Sequence, residues 1–283
     1  MAVHAVLLAA LATVTPQSPR AHAPGWATPW SRTTSNPSAT TTFAWNSYPT
    51  TLVNDSSTQL AAHWRFSESN STLVQLGGTT NYGGSYVNSP TYQQTGGSTT
   101  ADKSVRFNGT SQYAQVNHHV DLSMNNNQPF SLEVVFKLDS LAASGNPRLI
   151  GKNNNGSGAG GYEMAYNGAA DANAGQVYCS RQNSSGTISV VGSAGLQLPV
   201  GQWVHLVCTY DGSNLRFYWN GALRSGPTAA SGTINNNTQN LYIGALSGSG
   251  NYAKGWFDEA AIFWTALSDR QVRSHYAAFV AAL

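Results

Sequence analysis

The stretch Gly201-Gln-Trp-Val-His-Leu-Val-Cys-Thr-Tyr-Asp-Gly-Ser-Asn-Leu-Arg-Phe-Tyr-Trp-Asn-Gly221 decides the fold. Val204, Leu206, Cys208 and Tyr210 alternate with Trp203, His205, Val207 and Thr209, the period-two pattern of a strand whose side chains point to opposite faces in turn. Asp211-Gly212-Ser213-Asn214 supplies turn chemistry, and Leu215 to Trp219 reads as a returning strand rich in aromatics. Asn220-Gly221 then marks another reversal. A hairpin followed at once by a second turn is a β-meander, and it predicts an all-antiparallel protein.

Working outward, Phe130-Ser-Leu-Glu-Val-Val-Phe-Lys-Leu138 is the cleanest strand, with Phe130, Leu132, Val134, Phe136 and Leu138 on one face. Leu60 to Phe66 alternates and opens the domain. Further strands are expected at 147–152, 161–167, 176–183, 187–193, 240–245 and 256–264, with one short strand near Tyr86 in the glycine- and serine-rich segment 77–103. Gly- and Asn-loaded loops separate them. The last element is a helix: Ser268-Asp-Arg-Gln271 is a capping box, and Val272, Tyr276, Phe279 and Val280 form its apolar stripe.

Three segments resemble the laminin-G-like, concanavalin A-like jelly rolls. Gly201–Gly221 is similar to their "G-x-W-x-H-(V/L)…Y-D-G…L-x-(F/L)-Y-x-(N/D)-G" meander. Ser104-Val-Arg-Phe-Asn-Gly-Thr-Ser-Gln-Tyr-Ala-Gln-Val116 looks like the early strand pair. Gly255-Trp-Phe-Asp-Glu-Ala-Ala-Ile-Phe-Trp-Thr-Ala-Leu-Ser-Asp-Arg-Gln-Val272 looks like the closing strand and capped helix. The resemblance covers roughly residues 59–283 and implies an all-β, antiparallel two-sheet jelly-roll sandwich. It also implies a structural calcium at Asp258, with Asn108 second; the residues alone leave open that Asp258 is a hydrogen-bonded structural carboxylate.

Composition narrows the function. Charged residues are 9% of the chain, against about 25% in an ordinary soluble domain, and the net charge is +2. No Lys/Arg cluster exists, which argues against nucleic-acid capture. A surface rich in Asn, Thr and Tyr suits neutral polar matter such as sugars, or simply a solvated sandwich exterior. Cys179 and Cys208 fall in two predicted strands, and the sequence allows either a disulfide between neighbouring strands or two buried thiols.

Residues 1–58 read differently. Ala5-Val-Leu-Leu-Ala-Ala-Leu-Ala-Thr-Val14 is apolar and too short to cross a bilayer. It is read as an N-terminal helix buried against a partner protein, the competing reading being a signal peptide ending near Ala21-His22-Ala23. The segment 15–58 carries five prolines before position 40, yet also Trp26, Trp30, Phe43, Trp45 and Tyr48. Free linkers avoid such aromatics. An extended anchoring arm docked into an assembly is expected, with an arm folded back on its own sandwich as the alternative.

Catalytic chemistry is not visible. The 12 carboxylates are scattered, and no Glu-x-Asp-x-(x)-Glu strand occurs. Glu163 stands alone between Tyr162 and Met164. Asp258-Glu259 is an acidic pair, but strand alternation would send the two side chains to opposite faces. No nucleophile elbow or phosphate loop is present. Ligand stacking is expected from Tyr162, Tyr166, Trp219 and Tyr252, which border loops. The resulting expectation is a non-enzymatic virion protein, a phage minor tail or surface-decorating subunit. It would be anchored to other subunits, oligomeric in the assembly, and display a head for host-surface glycan. A secreted carbohydrate-binding module is the alternative, for which six Asn-x-Ser/Thr sequons at Asn54, Asn70, Asn108, Asn155, Asn183 and Asn236 would matter; an unusual glycoside hydrolase is the third.

Overall fold

In a computed structural model, the residues described are Tyr48, Thr51, Leu52, Asn54 and 59–281, without 79, 98–100, 154–159 and 236. The expected N-terminal helix and most of the arm lie outside them. No helix among the described residues is long and apolar enough to cross a membrane.

Two antiparallel sheets form a sandwich. The first runs β15 (Ala222–Ala229), β14 (Asn214–Trp219), β13 (Trp203–Tyr210), β8 (Phe130–Leu138), β17 (Lys254–Phe263), β1 (Leu60–Trp64) and β3 (Gln75–Gly77), with β6 (Lys103–Asn108) on β17 and β5 (Thr91–Thr95) on β6. The second runs β12 (Ile188–Gln197), β11 (Gln176–Gln182), β10 (Gly161–Tyr166), β9 (Arg148–Lys152), β16 (Leu241–Ile243), β7 (Tyr113–Val116), β4 (Gly84–Val87) and β2 (Thr72–Leu73). The expected meander is present, with Leu206 opposite Trp219 and Tyr210 opposite Leu215.

Alternation explains the core. Phe130, Leu132, Val134, Phe136 and Leu138 all face the interlayer cluster, as their spacing predicts. Between them Glu133 and Val135 face outward, under the C-terminal helix (Asp269–Ala281). The capping box forms: Gln271 N donates to Ser268 Oγ at 3.4 Å, and Ser268 N to Gln271 Oε1 at 3.0 Å. Val272 and Phe279 are buried from the expected stripe, whereas Val280 is exposed and His275 is buried instead. Tyr48 and Leu52 are wholly buried in this outer cluster, so the packed unit reaches back upstream of the expected boundary at residue 58.

Cys179 and Cys208 form a disulfide. It does not join neighbouring strands, as the sequence reading had allowed, nor leave two buried thiols. It ties β11 of one sheet to β13 of the other through the core, over a Cα–Cα distance of 6.2 Å.

Candidate functional site

The outer face of the second sheet carries a groove of about 550 Å³ across β9, β10, β11 and β12. Strand phase builds its floor. Tyr162, Met164 and Tyr166 point into the core, so Glu163 points out; likewise Val177 and Cys179 point in, and Tyr178 and Ser180 out. Glu163 is buried at the base of the groove. Its Oε2 accepts from Arg148 Nε at 2.8 Å and from Asn153 Nδ2 at 3.0 Å, and its Oε1 from Ser180 Oγ at 3.2 Å. Arg148 also donates to the Asn146 carbonyl. The charges of Arg148 and Glu163 therefore cancel in place. Gln182, Asn167 and Tyr178 add polar groups to the wall, while Ile188 and Val190 leave exposed apolar rims, at 59% and 48% exposure. Burial pushes the Tyr178 phenol up to about 12, so it stays a neutral hydroxyl.

A second constellation lies on the other sheet. Opposite Val135, β17 carries a β-bulge at Asp258 and Glu259. The extra residue breaks the alternation expected of this pair and brings both carboxylates to one side, where Asp102 joins them within 4.8 Å. Arg65 donates to Asp102 Oδ1 at 2.7 Å and to Glu259 Oε1 at 3.2 Å, and His63 Nε2 lies 2.5 Å from Glu259 Oε2. Gly97 N donates to Asp258 Oδ2 at 2.6 Å, and Asp258 Oδ1 is buried with no partner. Burial, with Glu259 adding to it, pushes the Asp258 carboxyl well above its usual range; burial does the same to Glu259. Burial and the Arg65 charge lower His63 to about 3, leaving it neutral. Three carboxylates facing one guanidinium and an unpartnered oxygen fit a hard divalent cation, which takes oxygen ligands.

Most of the aromatics expected to bind ligand do not face solvent. Tyr162 and Tyr166 are wholly buried because they share the inward phase of Met164. Tyr162 donates to the Leu122 carbonyl at 2.6 Å, and Tyr166 stacks on Phe136 at 6.1 Å. Trp219 is 6% exposed and packs in the core. Tyr252 alone of the four is half-buried, stacked on Tyr113 at 6.1 Å. Asn108 caps a turn: its Oδ1 accepts from the amides of Thr110, Ser111 and Gln112. Asn183 caps its own turn in the same way. Sequence reasoning missed Arg148, Ser180 and the outward role of Glu163, although a charged residue between the core-phase Tyr162 and Met164 was a usable signal.

Two antiparallel sheets with a polar groove on one outer face define a jelly-roll sandwich. A family model described as the concanavalin A-like lectin/glucanases superfamily, of the laminin G type, matches residues 108–273, more than half of the chain. The chain belongs to that superfamily. Domain 4 of AbnA, a GH43 extracellular arabinanase from Geobacillus stearothermophilus solved with arabinotriose, is 19% identical with a TM-score of 0.55, over 77% of this chain and 98% of that one. The binding domain of Paraclostridial Mosquitocidal Protein 1 is 14% identical with a TM-score of 0.60, over 77% and 52%. The botulinum neurotoxin serotype G binding domain is 11% identical with a TM-score of 0.59, over 77% and 50%. At these identities the likeness is one of fold. No curated protein matches the sequence.

Proposed function

We propose that the chain is a non-catalytic glycan-binding head whose ligand lies in the groove above Arg148 and Glu163. The observation that carries this reading is the groove floor: a buried, self-neutralised ion pair ringed by amide and hydroxyl groups, which hydrogen-bonds sugar hydroxyls without selecting for charge. Glycoside hydrolysis uses two carboxyl groups flanking the bond. The groove lining holds one, and Arg148, Asn153 and Ser180 occupy it. The arabinotriose-bound arabinanase domain and the toxin binding domains support a binding role for this architecture. On a glycan array, the full chain is expected to bind a defined set of glycans. Tyr178→Ala and Gln182→Ala are expected to lower that binding tenfold or more without unfolding the sandwich. Undiminished binding by both variants contradicts the groove.

The finer placement belongs to the same proposal: a virion tail or surface-decorating subunit, held among its neighbours by the part of residues 1–58 upstream of Tyr48, which packs on the sandwich itself, and displaying this head to host-surface glycan. The apolar run Ala5–Val14 and the proline- and aromatic-rich arm support it. Deleting residues 1–30 spares Tyr48 and Leu52, so the head is expected to fold but fail to join its assembly. Normal incorporation of the truncated chain sinks the anchoring role.

A structural calcium held by Asp102, Asp258 and Glu259 completes the reading, with the ion neutralising their mutual repulsion. At calcium about 100-fold above its dissociation constant, stabilisation of about 2.7 kcal/mol is expected. That amounts to a rise of roughly 5–10 °C in Tm for a domain of this size. Asp258→Asn is expected to abolish the rise, and an unchanged Tm in calcium and chelator contradicts the site.

A further inference from the structure

The groove does not end at β9. Strand register links Val190 to Ser180, Ser180 to Glu163, Glu163 to Gly151, Gly151 to Tyr242 and Tyr242 to Gln115. Directly paired residues share a face, so these six positions form one row on the outer surface of the second sheet. Five inter-strand steps of about 4.8 Å make the row about 24 Å long. Gln115 also lines a second hollow, of about 610 Å³, whose walls include Gln75, Thr80 and Asn81 and no charged side chain.

The middle of the row is shaped for stacking. Tyr242 lies 6.0 Å from Tyr113, and Tyr113 lies 6.1 Å from Tyr252 on the neighbouring loop; all three rings are half-buried. Beside them Gly151 carries no side chain and is covered by Glu163, whose Cβ lies 2.8 Å from where a Cβ on Gly151 would stand. The charged groove residues, Arg148 and Glu163, pair with each other, so nothing in either hollow selects for ligand charge.

We infer that the two hollows are the ends of a single trough for an extended, linear, neutral oligosaccharide lying across the strands, with Tyr113, Tyr242 and Tyr252 as its central stacking platform. This rests on the glycan-binding reading above and specifies its ligand class. Sugar rings present flat apolar faces that aromatic rings cover, while their edges hydrogen-bond to amides and hydroxyls. A trough of this length contacts several consecutive sugar units, so it recognises the interior of a chain rather than one terminal residue.

Calorimetry of the full chain with length-graded α-1,5-arabino-, β-1,3-gluco-, β-1,4-gluco- and β-1,4-manno-oligosaccharides tests the inference. On the ladder that binds, affinity is expected to climb with chain length until the trough is filled. Tyr242→Ala is expected to weaken the longest member about tenfold, equivalent to about 1.4 kcal/mol, and to leave the shortest bound member unchanged. Tyr113→Ala, whose fold is checked by melting, is expected to do the same. Equal affinity along the ladder, or unchanged long-chain binding in both variants, overturns the trough and leaves the groove as a short-ligand site. Binding only to branched or charged array glycans also overturns the trough while sparing the glycan reading. Binding to no glycan of any kind overturns both.

Discussion

Replacing Glu133 by alanine is expected to cost about 3–5 kcal/mol, the range for breaking a buried ion pair, and to lower Tm on the order of 10 °C. Glu133 is the point where three separate parts of the chain meet behind the first sheet. Tyr48 donates to its Oε1 at 2.5 Å, His205 Nε2 lies 2.8 Å from the same oxygen, and His275 Nδ1 lies 2.8 Å from Oε2. His275 belongs to the C-terminal helix and Tyr48 to the segment before β1, so the carboxylate fastens both to the sheet. Removing it strands their polar atoms in a dry layer with Phe279 and Val272. The same group sets the response to acid. Burial pushes the Glu133 carboxyl up, but His275 and His205 together outweigh burial and hold it well below the usual carboxylate range. A depressed folded-state value means its stabilisation is complete above the unfolded value of about 4.3 and drains away as pH falls below it. The wild-type chain should therefore lose up to about 1.4 kcal/mol per pH unit in that window from this group. Glu133→Gln should lack that component, and parallel pH–Tm curves for the two proteins would refute the assignment.

The second large effect is expected from the disulfide. Cys179 and Cys208 close a loop of 29 residues between the facing sheets, for which the chain-entropy account gives about 3.6 kcal/mol. Cys179→Ala with Cys208→Ala should lower Tm on the order of 10 °C, and reduction of the wild type should do nearly the same. A loss below a few degrees in both would mean that packing alone holds the sheets in register.

Local pattern carried the architecture because its cause is local. The 130–138 strand, the 203–219 hairpin and the Ser268 capping box each arise from residues in contact along the chain, and each is found where alternation and capping chemistry put it. What escaped depends on long-range register. Tyr162 and Tyr166 were expected at a ligand because they border loops, yet their phase with Met164 turns them inward and turns Glu163 out. The Asp258–Glu259 pair was expected to split across the sheet. One extra residue opposite Val135 reversed that, and nothing within β17 alone announces a bulge. The groove itself draws on four strands, and the disulfide spans two layers. Neither neighbour relation exists until the sheets are ordered.

The central claim is that sugar is read on the outer face of the second sheet. The most direct measurement is the glycan-array profile of the full chain beside Tyr178→Ala and Gln182→Ala, all three confirmed folded by melting. The account predicts a defined glycan set for the wild type and a tenfold or greater loss in both variants. Wild-type binding that survives both substitutions would place recognition elsewhere on the molecule and contradict the account.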